Sequence, residues 1–471
     1  MSSKKDYLKL IRTGEELSRK NQLFLIMQLS LPAIMAQIST IVMEYIDAAM
    51  VGRLGEKCSA SIGLVSTSTW LLSGISHALS AGFTVQVAHM IGAGKEKDAR
   101  RIVRTGLCIG LLAGVLLMLI SSGISFDLPR LLGGEQDIWR DASWYFLVYA
   151  LNMPIYQLNN MSSGMIQCSG NMKFPSILHI LMCVLDVVFN FFLIFPARNI
   201  WVFGFSISVP GMGLGVLGAA IGTALAVVFT GLIMLYYLSF KSESLHLRKD
   251  EKLDVRIDDL RNAVKISIPV GIEQVIMSSA YIISTIIVAP LGSVAIAAHS
   301  FAITAESLCY MPGYGIGSAA TTIVGQSIGA GRKQLAKKLG WLSVGLGTIF
   351  MAASGTLMYI IAPIVMGLLT PVAAIRTLGV SVLRIELFAE PLYGASIVAT
   401  GVFRGAGDTK IPCILNFLSM WIVRLPLSWY LSLSYGLQGV WFAMCIELCV
   451  RGIIYLLKLL KTKELGIKLV G

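Results

Sequence analysis

Acidic residues inside long apolar stretches are the strongest chemical signal in this sequence. Glu44 and Asp47 lie three residues apart, and Asp186 and Asn190 lie four apart, each pair within a run of apolar residues. Residues at these spacings share one face of a helix. Because a charge at the centre of a bilayer costs at least about 2.5–3.5 kcal/mol, such residues mark sites that bind ions or pair with one another.

The carboxyl group of Asp47 has two possible chemical uses. Arg53, near the outer end of the same run, is the basic residue closest to it in sequence. A carboxyl buried without a cation can bind and release a proton near neutral pH. Alternatively, Asp47, Asp186 and Asn190 form a candidate Na+ site. Either use would make this a coupling site, and the residues alone leave both open.

The second half of the chain carries its own charges within apolar runs. One set is a candidate lining for a cavity: Glu273, Glu306, Glu386, Glu390 and Arg424. The alternative is that some of these residues form structural ion pairs. Arg384 with Glu386 or Glu390 is one such pair, and Arg424 with Glu273 is another.

The composition predicts that membrane helices position these residues. The chain has 471 residues, of which 55% are hydrophobic and only 14% charged. A soluble domain carries roughly 25% charged residues, and a membrane-spanning helix needs about 20 apolar residues. We therefore predict an all-α integral membrane protein with twelve transmembrane helices, at approximately 23–50, 59–82, 105–126, 142–163, 175–196, 212–239, 266–290, 296–326, 340–368, 377–401, 412–434 and 437–459.

The distribution of basic residues predicts the orientation. Of the 38 Lys and Arg residues, 29 fall in the termini and the loops on the same side of the predicted spans, and six fall in the opposite loops. Basic loops stay in the cytoplasm, so we predict cytoplasmic N- and C-termini. This distribution also explains the net charge of +12 without a nucleic-acid partner.

The sequence repeats itself at an offset of 237 residues. Pro32 returns as Pro269, the IGAG at 91–94 returns at 328–331, and Pro154 returns as Pro391. Beyond Pro175 the offset falls to 221, which predicts about 16 extra residues in the first copy, in the outer loop 196–211. Six helices separate equivalent points, so the copies are parallel repeats, related by a pseudo-two-fold axis along the membrane normal.

The repeat predicts five segments with distinct locations. They are a cytoplasmic N-terminal segment (1–22), a first lobe of helices 1 to 6 (23–240), a cytoplasmic linker (241–265), a second lobe of helices 7 to 12 (266–459) and a cytoplasmic C-terminus (460–471). Within the linker we predict a short helix on the membrane surface, because apolar residues alternate there with charges: Leu253, Val255, Ile257 and Leu260.

Four motifs together resemble the multidrug and toxic compound extrusion family of antiporters: LPAIMAQ…DAAMVGRLG (31–55), GLGVLGAAIGTA (213–224), VGQSIGAG (324–331) and FRGAGDTKIP (403–412). The resemblance covers nearly the whole chain. It implies two six-helix lobes around a central cavity. It also implies exchange of small organic cations or amphipathic compounds for H+ or Na+ by alternating access, with no other cofactor.

The resemblance also assigns residues. Asp47 matches the helix 1 aspartate used for ion coupling in many members, Pro32 matches the proline at which helix 1 bends, and Thr223 matches a polar position on helix 6 near the same site. On helix 5 the chain departs from related members, which carry Asn before Asp. Here Asp186 precedes Asn190, so the choice between H+ and Na+ stays open.

We therefore expect a multi-pass, monomeric exporter in the plasma membrane, the bacterial inner membrane, and not an enzyme. The alternative within the same superfamily is a lipid-linked oligosaccharide flippase, which usually has more helices and an arginine-lined cavity. A membrane enzyme acting on lipid would need clustered His or Asp at the cytoplasmic face. The proposed ion site belongs to the first lobe alone, because Asp47 aligns with Ser284 in the second copy.

Overall fold

The structure is a computed structural model that describes residues 7–202, 205–248, 250–251, 254–462 and 464–466. Helices dominate both halves. The first half contains α1 (Tyr7–Thr13), α2 (Arg19–Gly52), α3 (Glu56–Gly92), α4 (Glu96–Ile124), α5 (Leu128–Leu131), α6 (Trp139–Leu151), α7 (Met153–Cys168), α8 (Lys173–Leu193), strands β1 (Pro196–Val202) and β2 (Phe205–Met212), and α9 (Gly215–Tyr236), which ends in a π-helical turn at Tyr237–Lys241.

The second half repeats this order with fewer interruptions. It contains α10 (Ile257–Val288), a 3₁₀ turn (Ala289–Leu291), α11 (Ser293–Gly329), α12 (Lys333–Leu369), α13 (Ala373–Glu386), α14 (Glu390–Gly405), α15 (Lys410–Phe417), a π-helical segment (Leu418–Arg424) and α16 (Leu425–Lys461).

These elements form twelve membrane spans in two six-helix lobes. Within the described residues, nine continuous helical stretches are long and apolar enough to span a bilayer. The last of them contains two spans, because the backbone turns at Gly436, whose φ is 56°. The remaining two are interrupted spans, α6–α7 and α13–α14.

The interruptions lie at equivalent places in the two lobes. Pro154 is in the first turn of α7, and Pro391 is in the first turn of α14. Proline lacks an N–H and disfavours helical geometry in the residue before it, so each proline begins a new helix rather than continuing the previous one. We predicted the spans 142–163 and 377–401 as single helices, and the structure divides both.

The predicted linker differs from the structure. The surface helix at 253–260 is wrong as far as it can be compared, because Leu260 and Ile257 lie in the first turn of the long helix α10, while Leu253 is outside the described residues. Asp258 and Asp259 explain the early start, since acidic side chains in a first turn stabilise the positive end of the helix dipole.

The extra residues of the first copy form a β-hairpin. Strands β1 and β2 pair antiparallel, with Pro196 opposite Met212, at the position predicted for the insertion. The second copy makes the equivalent connection with the turn at Gly436 alone. The two lobes therefore differ most at the face opposite the linker.

The lobes contact each other mainly through three helix pairs, one of which is α3 with α11. Helix α2 packs along α11, and α3 packs along α10. Gly315 lies against the backbone of Ala33 and Ile34, so α2 and α11 approach closely near Pro32. Large apolar side chains cover the outside, where Leu368 is 84% exposed, as expected for a lipid-facing surface.

Candidate functional site

The first lobe brings together the polar residues predicted for ion coupling. The Asn190 amide Nδ2 donates to Asp47 Oδ1 at 2.8 Å and to Asp186 Oδ2 at 3.1 Å. Thr223 of α9 interacts electrostatically with the Asp186 carboxylate, and the carboxyl groups of Asp47 and Asp186 interact with each other. Three helices, α2, α8 and α9, thus meet at one group of oxygen atoms.

Close helix packing makes this meeting possible. Asp186 and Asn190 are one turn apart on α8, so both point towards α2. On α9, Gly222 faces Asn190, and a Cβ built at Gly222 would lie 2.1 Å from Asn190 Oδ1. A side chain at position 222 would therefore displace the amide that bridges the two aspartates.

The first-lobe group has unused capacity to bind a cation. Asp186 and Asn190 are fully buried, and within the described residues Asp186 Oδ1 and Asn190 Oδ1 have no hydrogen-bond partner. Asp47 is only half-buried, so it connects the group to the space between the lobes. Oxygen ligands of this kind suit a hard cation such as Na+, and two adjacent carboxyl groups can instead share a proton.

The second lobe contains a second acidic group, formed by Glu306, Glu386 and Glu390. One carboxylate oxygen from each lies within 4.8 Å of the others, and all three residues are buried. Glu386 ends α13 and Glu390 begins α14, so the helix break places both against Glu306 of α11. In the described part of the chain, all four oxygens of Glu386 and Glu390 lack a hydrogen-bond partner.

Arg424 lies next to this acidic group but is not paired with it. Its Nη2 donates to Met444 Sδ at 2.8 Å, and its guanidinium lies 5.6 Å from the centre of the Tyr281 ring. It interacts electrostatically with Glu306 and Glu386 at longer range. Among the described residues, Arg424 is the one basic side chain that interacts with this group of three carboxyls.

The predicted pair of Arg424 with Glu273 is wrong. Glu273 binds Arg404 Nη2 at 3.0 Å and Asn416 Nδ2 at 2.7 Å. Arg424 instead contacts Tyr281, which is on the same helix as Glu273, α10, but eight residues after it. At 1.5 Å per residue, Glu273 and Tyr281 are about 12 Å apart along the helix axis. Glu273 is therefore too far along α10 to reach Arg424, and it does not belong to the second-lobe acidic group.

The predicted pairs of Arg384 with Glu386 or Glu390 are also wrong. Arg384 Nε donates to the Tyr359 carbonyl at 3.3 Å, and its guanidinium lies over the Tyr359 ring at 4.9 Å. Residues two apart on a helix point to different sides, so Arg384 cannot face the same way as Glu386. The acidic group therefore has no ion pair with Arg384.

Sequence reasoning did not identify Glu447. This residue is fully buried, and its Oε1 accepts a hydrogen bond from Arg451 Nε at 2.7 Å, while Arg451 Nε also lies 3.1 Å from Ser419 Oγ. The spacing of four residues between Glu447 and Arg451 was the available signal, because such a pair shares a helix face. Its partner is local, which favours a packing role.

Pro32 lies inside α2, which runs without interruption from Arg19 to Gly52. Proline provides no N–H, so the carbonyl of Gln28 receives no helical hydrogen bond from position 32. A bend of α2 at this point remains a proposal. The missing bond leaves α2 easier to bend there than elsewhere along its length.

Comparison with known proteins gives one consistent family. The MatE family model matches residues 32–192 and again residues 269–430, in nearly the same register as the internal repeat. The probable multidrug resistance protein NorM of Thermotoga maritima is 28% identical over 447 residues, covering 93% of this chain and 92% of that protein. Its counterpart in Oceanobacillus iheyensis is 25% identical, covering 94% and 97%.

A solved structure has the same fold. The crystal structure of MATE in complex with MaL6 superposes with a TM-score of 0.87 at 20% identity, covering 97% of this chain and 98% of that one. The family model matches each half of the chain once, over most of the length of each lobe. The chain therefore belongs to the MatE family of membrane transporters, the multidrug and toxic compound extrusion family that its motifs resemble, and it is not an enzyme.

Proposed function

We propose that this protein is a secondary active efflux antiporter that exchanges small cationic or amphipathic organic compounds for H+ or Na+ by alternating access. The observation that carries the proposal is the bridged pair Asp47–Asn190–Asp186 in the first lobe. Neither aspartate has a cationic side chain among its described interactions. A mobile cation or proton is the natural partner for two such carboxyl groups.

The mechanism follows from the position of α2. Asp47 joins this helix to the ion group on α8, while Tyr45, two residues earlier, donates a hydrogen bond to the Thr304 carbonyl of α11 in the other lobe. Movement of α2 towards α8 on ion binding therefore changes its contact with the second lobe. A ligand shifts a transporter between states only by binding those states unequally, and α2 is a helix through which the ion can do so.

The second-lobe acidic group supplies a candidate site for the exported compound. Glu306, Glu386 and Glu390 place three carboxyl groups close together beside Arg424, and carboxyl groups this close hold protons rather than all being ionised. An organic cation that enters between the lobes would displace those protons and pair with the carboxylates that remain. The relatives called probable multidrug resistance proteins support a drug-like substrate, which we extend to this chain as part of the proposal.

The membrane arrangement completes the proposal. We place the protein as a monomer in the plasma membrane, the bacterial inner membrane, with both termini in the cytoplasm because 29 of its 38 basic residues lie on that side. Six spans per lobe return the chain to its starting side, so the linker also lies there. The end of the molecule that carries the two IGAG motifs is then cytoplasmic.

Transport in proteoliposomes tests the proposal. Purified protein is reconstituted with a fluorescent organic cation, and a pH gradient or a Na+ gradient is imposed separately. We expect one of the two gradients to drive accumulation of the cation against its own gradient. Accumulation with neither gradient, or none with both, would contradict ion-coupled export.

A further inference from the structure

The two lobes meet at their IGAG motifs in a reciprocal contact. A Cβ built at Gly92, the last residue of α3, would lie 2.1 Å from the carbonyl oxygen of Gln326. A Cβ built at Gly329, the last residue of α11, would lie 2.0 Å from the carbonyl oxygen of His89. Gly92 and Gly329 are equivalent in the repeat, as are His89 and Gln326. The helix backbones therefore touch at the pseudo-two-fold axis.

Two buried hydrogen bonds follow the same symmetry. His89 Nε2 lies 2.8 Å from the carbonyl oxygen of Gly405, and Gln326 Nε2 donates to the carbonyl oxygen of Cys168 at 2.7 Å. Cys168 and Gly405 are the last residues of α7 and α14, again at equivalent places. Each side chain thus binds a free carbonyl at the end of a helix in the opposite lobe.

The N-terminal helix α1 ties one side of this contact more firmly. Arg12 Nη2 donates to the carbonyl oxygen of Ser169 in the first lobe at 3.1 Å and to Gln326 Oε1 in the second lobe at 3.2 Å. Arg332 Nη1, after α11, donates to the carbonyl oxygen of Glu15 at 2.7 Å. Segment 7–18 thereby spans both lobes across their meeting point.

We propose that His89, Gln326 and the two glycines form the cytoplasmic gate of the transporter, shut in this structure and separated once in each cycle. The assignment rests on the proposed function, which requires the path between the lobes to open to the cytoplasm. Direct backbone contact leaves no room for a solute at the axis. Opening it breaks the glycine crossing, the two symmetric hydrogen bonds and the neighbouring hydrogen bonds of Arg12 and Gln167. Each hydrogen bond favours the closed state only about two- to tenfold, so closure is tight but reversible.

Cys168 is a natural reporter of this gate. It is 5% exposed beside the Gln326 contact, whereas Cys309, in the core of the second lobe, is 1% exposed and serves as an internal control. Inside-out vesicles are treated with a membrane-impermeant maleimide, and mass spectrometry measures the modification rate of each cysteine. We expect His89→Ala to raise the rate at Cys168 about fivefold, the effect of losing one hydrogen bond, and to leave Cys309 unmodified.

The variant His89→Gln separates a gate from a packing role. Glutamine can restore the bond to Gly405 as Gln326 does to Cys168, so its rate at Cys168 should stay at the wild-type value. An unchanged rate at Cys168 in His89→Ala would overturn the proposal. A higher modification rate at Cys309 as well would show that His89→Ala is misfolded. The glycine variants described next would then test the gate in its place.

The glycine variants test the crossing itself. In Gly92→Ala the new methyl group must displace the Gln326 carbonyl, so the gate cannot shut. We expect the maximal transport rate to fall about tenfold or more, with faster labelling of Cys168. Gly63→Ala is the matched control on the same helix, because a Cβ there meets no atom within 4 Å. Equal transport and labelling in the two variants would overturn the gate.

Failure of the gate and failure of the proposed function give different results. Labelling of Cys168 does not require transport. If wild-type protein transports the organic cation but the His89 and Gly92 variants label like wild type, only the gate is wrong. If labelling changes as expected but neither ion gradient drives transport, the crossing opens and closes in a protein whose proposed coupling is wrong.

Discussion

Replacing Asp47 with asparagine should remove ion coupling and leave the fold intact. The asparagine side chain keeps the shape of the aspartate and an oxygen that can accept the 2.8 Å hydrogen bond from Asn190, so α2 and α8 stay together. The change removes one of two negative charges from the ion group. Two opposite unit charges 4 Å apart attract by about 4 kcal/mol at an effective dielectric constant of roughly 20.

That energy sets the size of the effect. At about 1.4 kcal/mol per factor of ten, the loss corresponds to roughly 1,000-fold weaker binding of a cation beside Asp47. In proteoliposomes, the ion concentration that gives half-maximal transport should therefore move out of the measurable range for Asp47→Asn. Its thermal unfolding in detergent should remain close to that of the wild type.

Glu44→Gln is the matched control. Glu44 lies three residues before Asp47 on the same face of α2 but outside the hydrogen-bonded group, and it is exposed. This variant should keep the ion dependence within about threefold, since Glu44 makes no hydrogen bond to the group and charge pairs of this kind contribute about 0–1 kcal/mol. Wild-type ion dependence in Asp47→Asn would refute the role given to this carboxyl, and equal loss in both variants would show that only the net charge of α2 matters.

Three further outcomes follow from the structure. Glu447→Ala leaves the buried Arg451 without its carboxylate, so the free energy of unfolding should fall by about 3–5 kcal/mol, which a thermal melt in detergent would detect and an unchanged melting temperature would contradict. Glu386→Gln removes one carboxyl group that could ionise when a cation binds to the second-lobe acidic group. The KM for organic cations should therefore rise about tenfold while that for neutral amphipathic compounds stays the same; equal changes for both would argue against a cation site. The Arg100 guanidinium beside Glu251 holds the pKa of that carboxyl below its usual range, so the ion pair that attaches the linker to α4 is stable at neutral pH and is lost as the pH falls through the lowered pKa. Hydrogen exchange in the linker should therefore increase only below the ordinary glutamate pKa of about 4.3. An increase already near neutral pH would contradict this.

Periodicity and repeats predicted the scaffold because both depend on local sequence and on register. The offset of 237 residues gave two lobes, and the loss of register after Pro175 located the β-hairpin correctly. The division of the interrupted spans was missed, although Pro154 and Pro391 were recognised as equivalent. Composition and length identify an apolar run as a membrane span, but they do not show whether a proline within the run ends one helix and begins another.

Contacts between distant helices could be predicted only where a resemblance connected them. Asp47, Asp186 and Asn190 meet as expected, since the family resemblance related all three. Pairing of Arg424 with Glu273 was inferred from charge alone, and the position of each residue along its helix decided against it. The crossing of Gly92 and Gly329 could not be predicted, because the two IGAG motifs that contain these residues are equally typical of ordinary helix ends.

The even number of spans in each lobe has a consequence for the order of the halves. Each half begins and ends on the same side of the membrane, and the linker needs only to join two ends that already lie there. A gene encoding the second half before the first would therefore specify the same topology and the same contacts between α2 and α11 and between α3 and α10. The topology therefore requires the parallel orientation of the halves but not their present order.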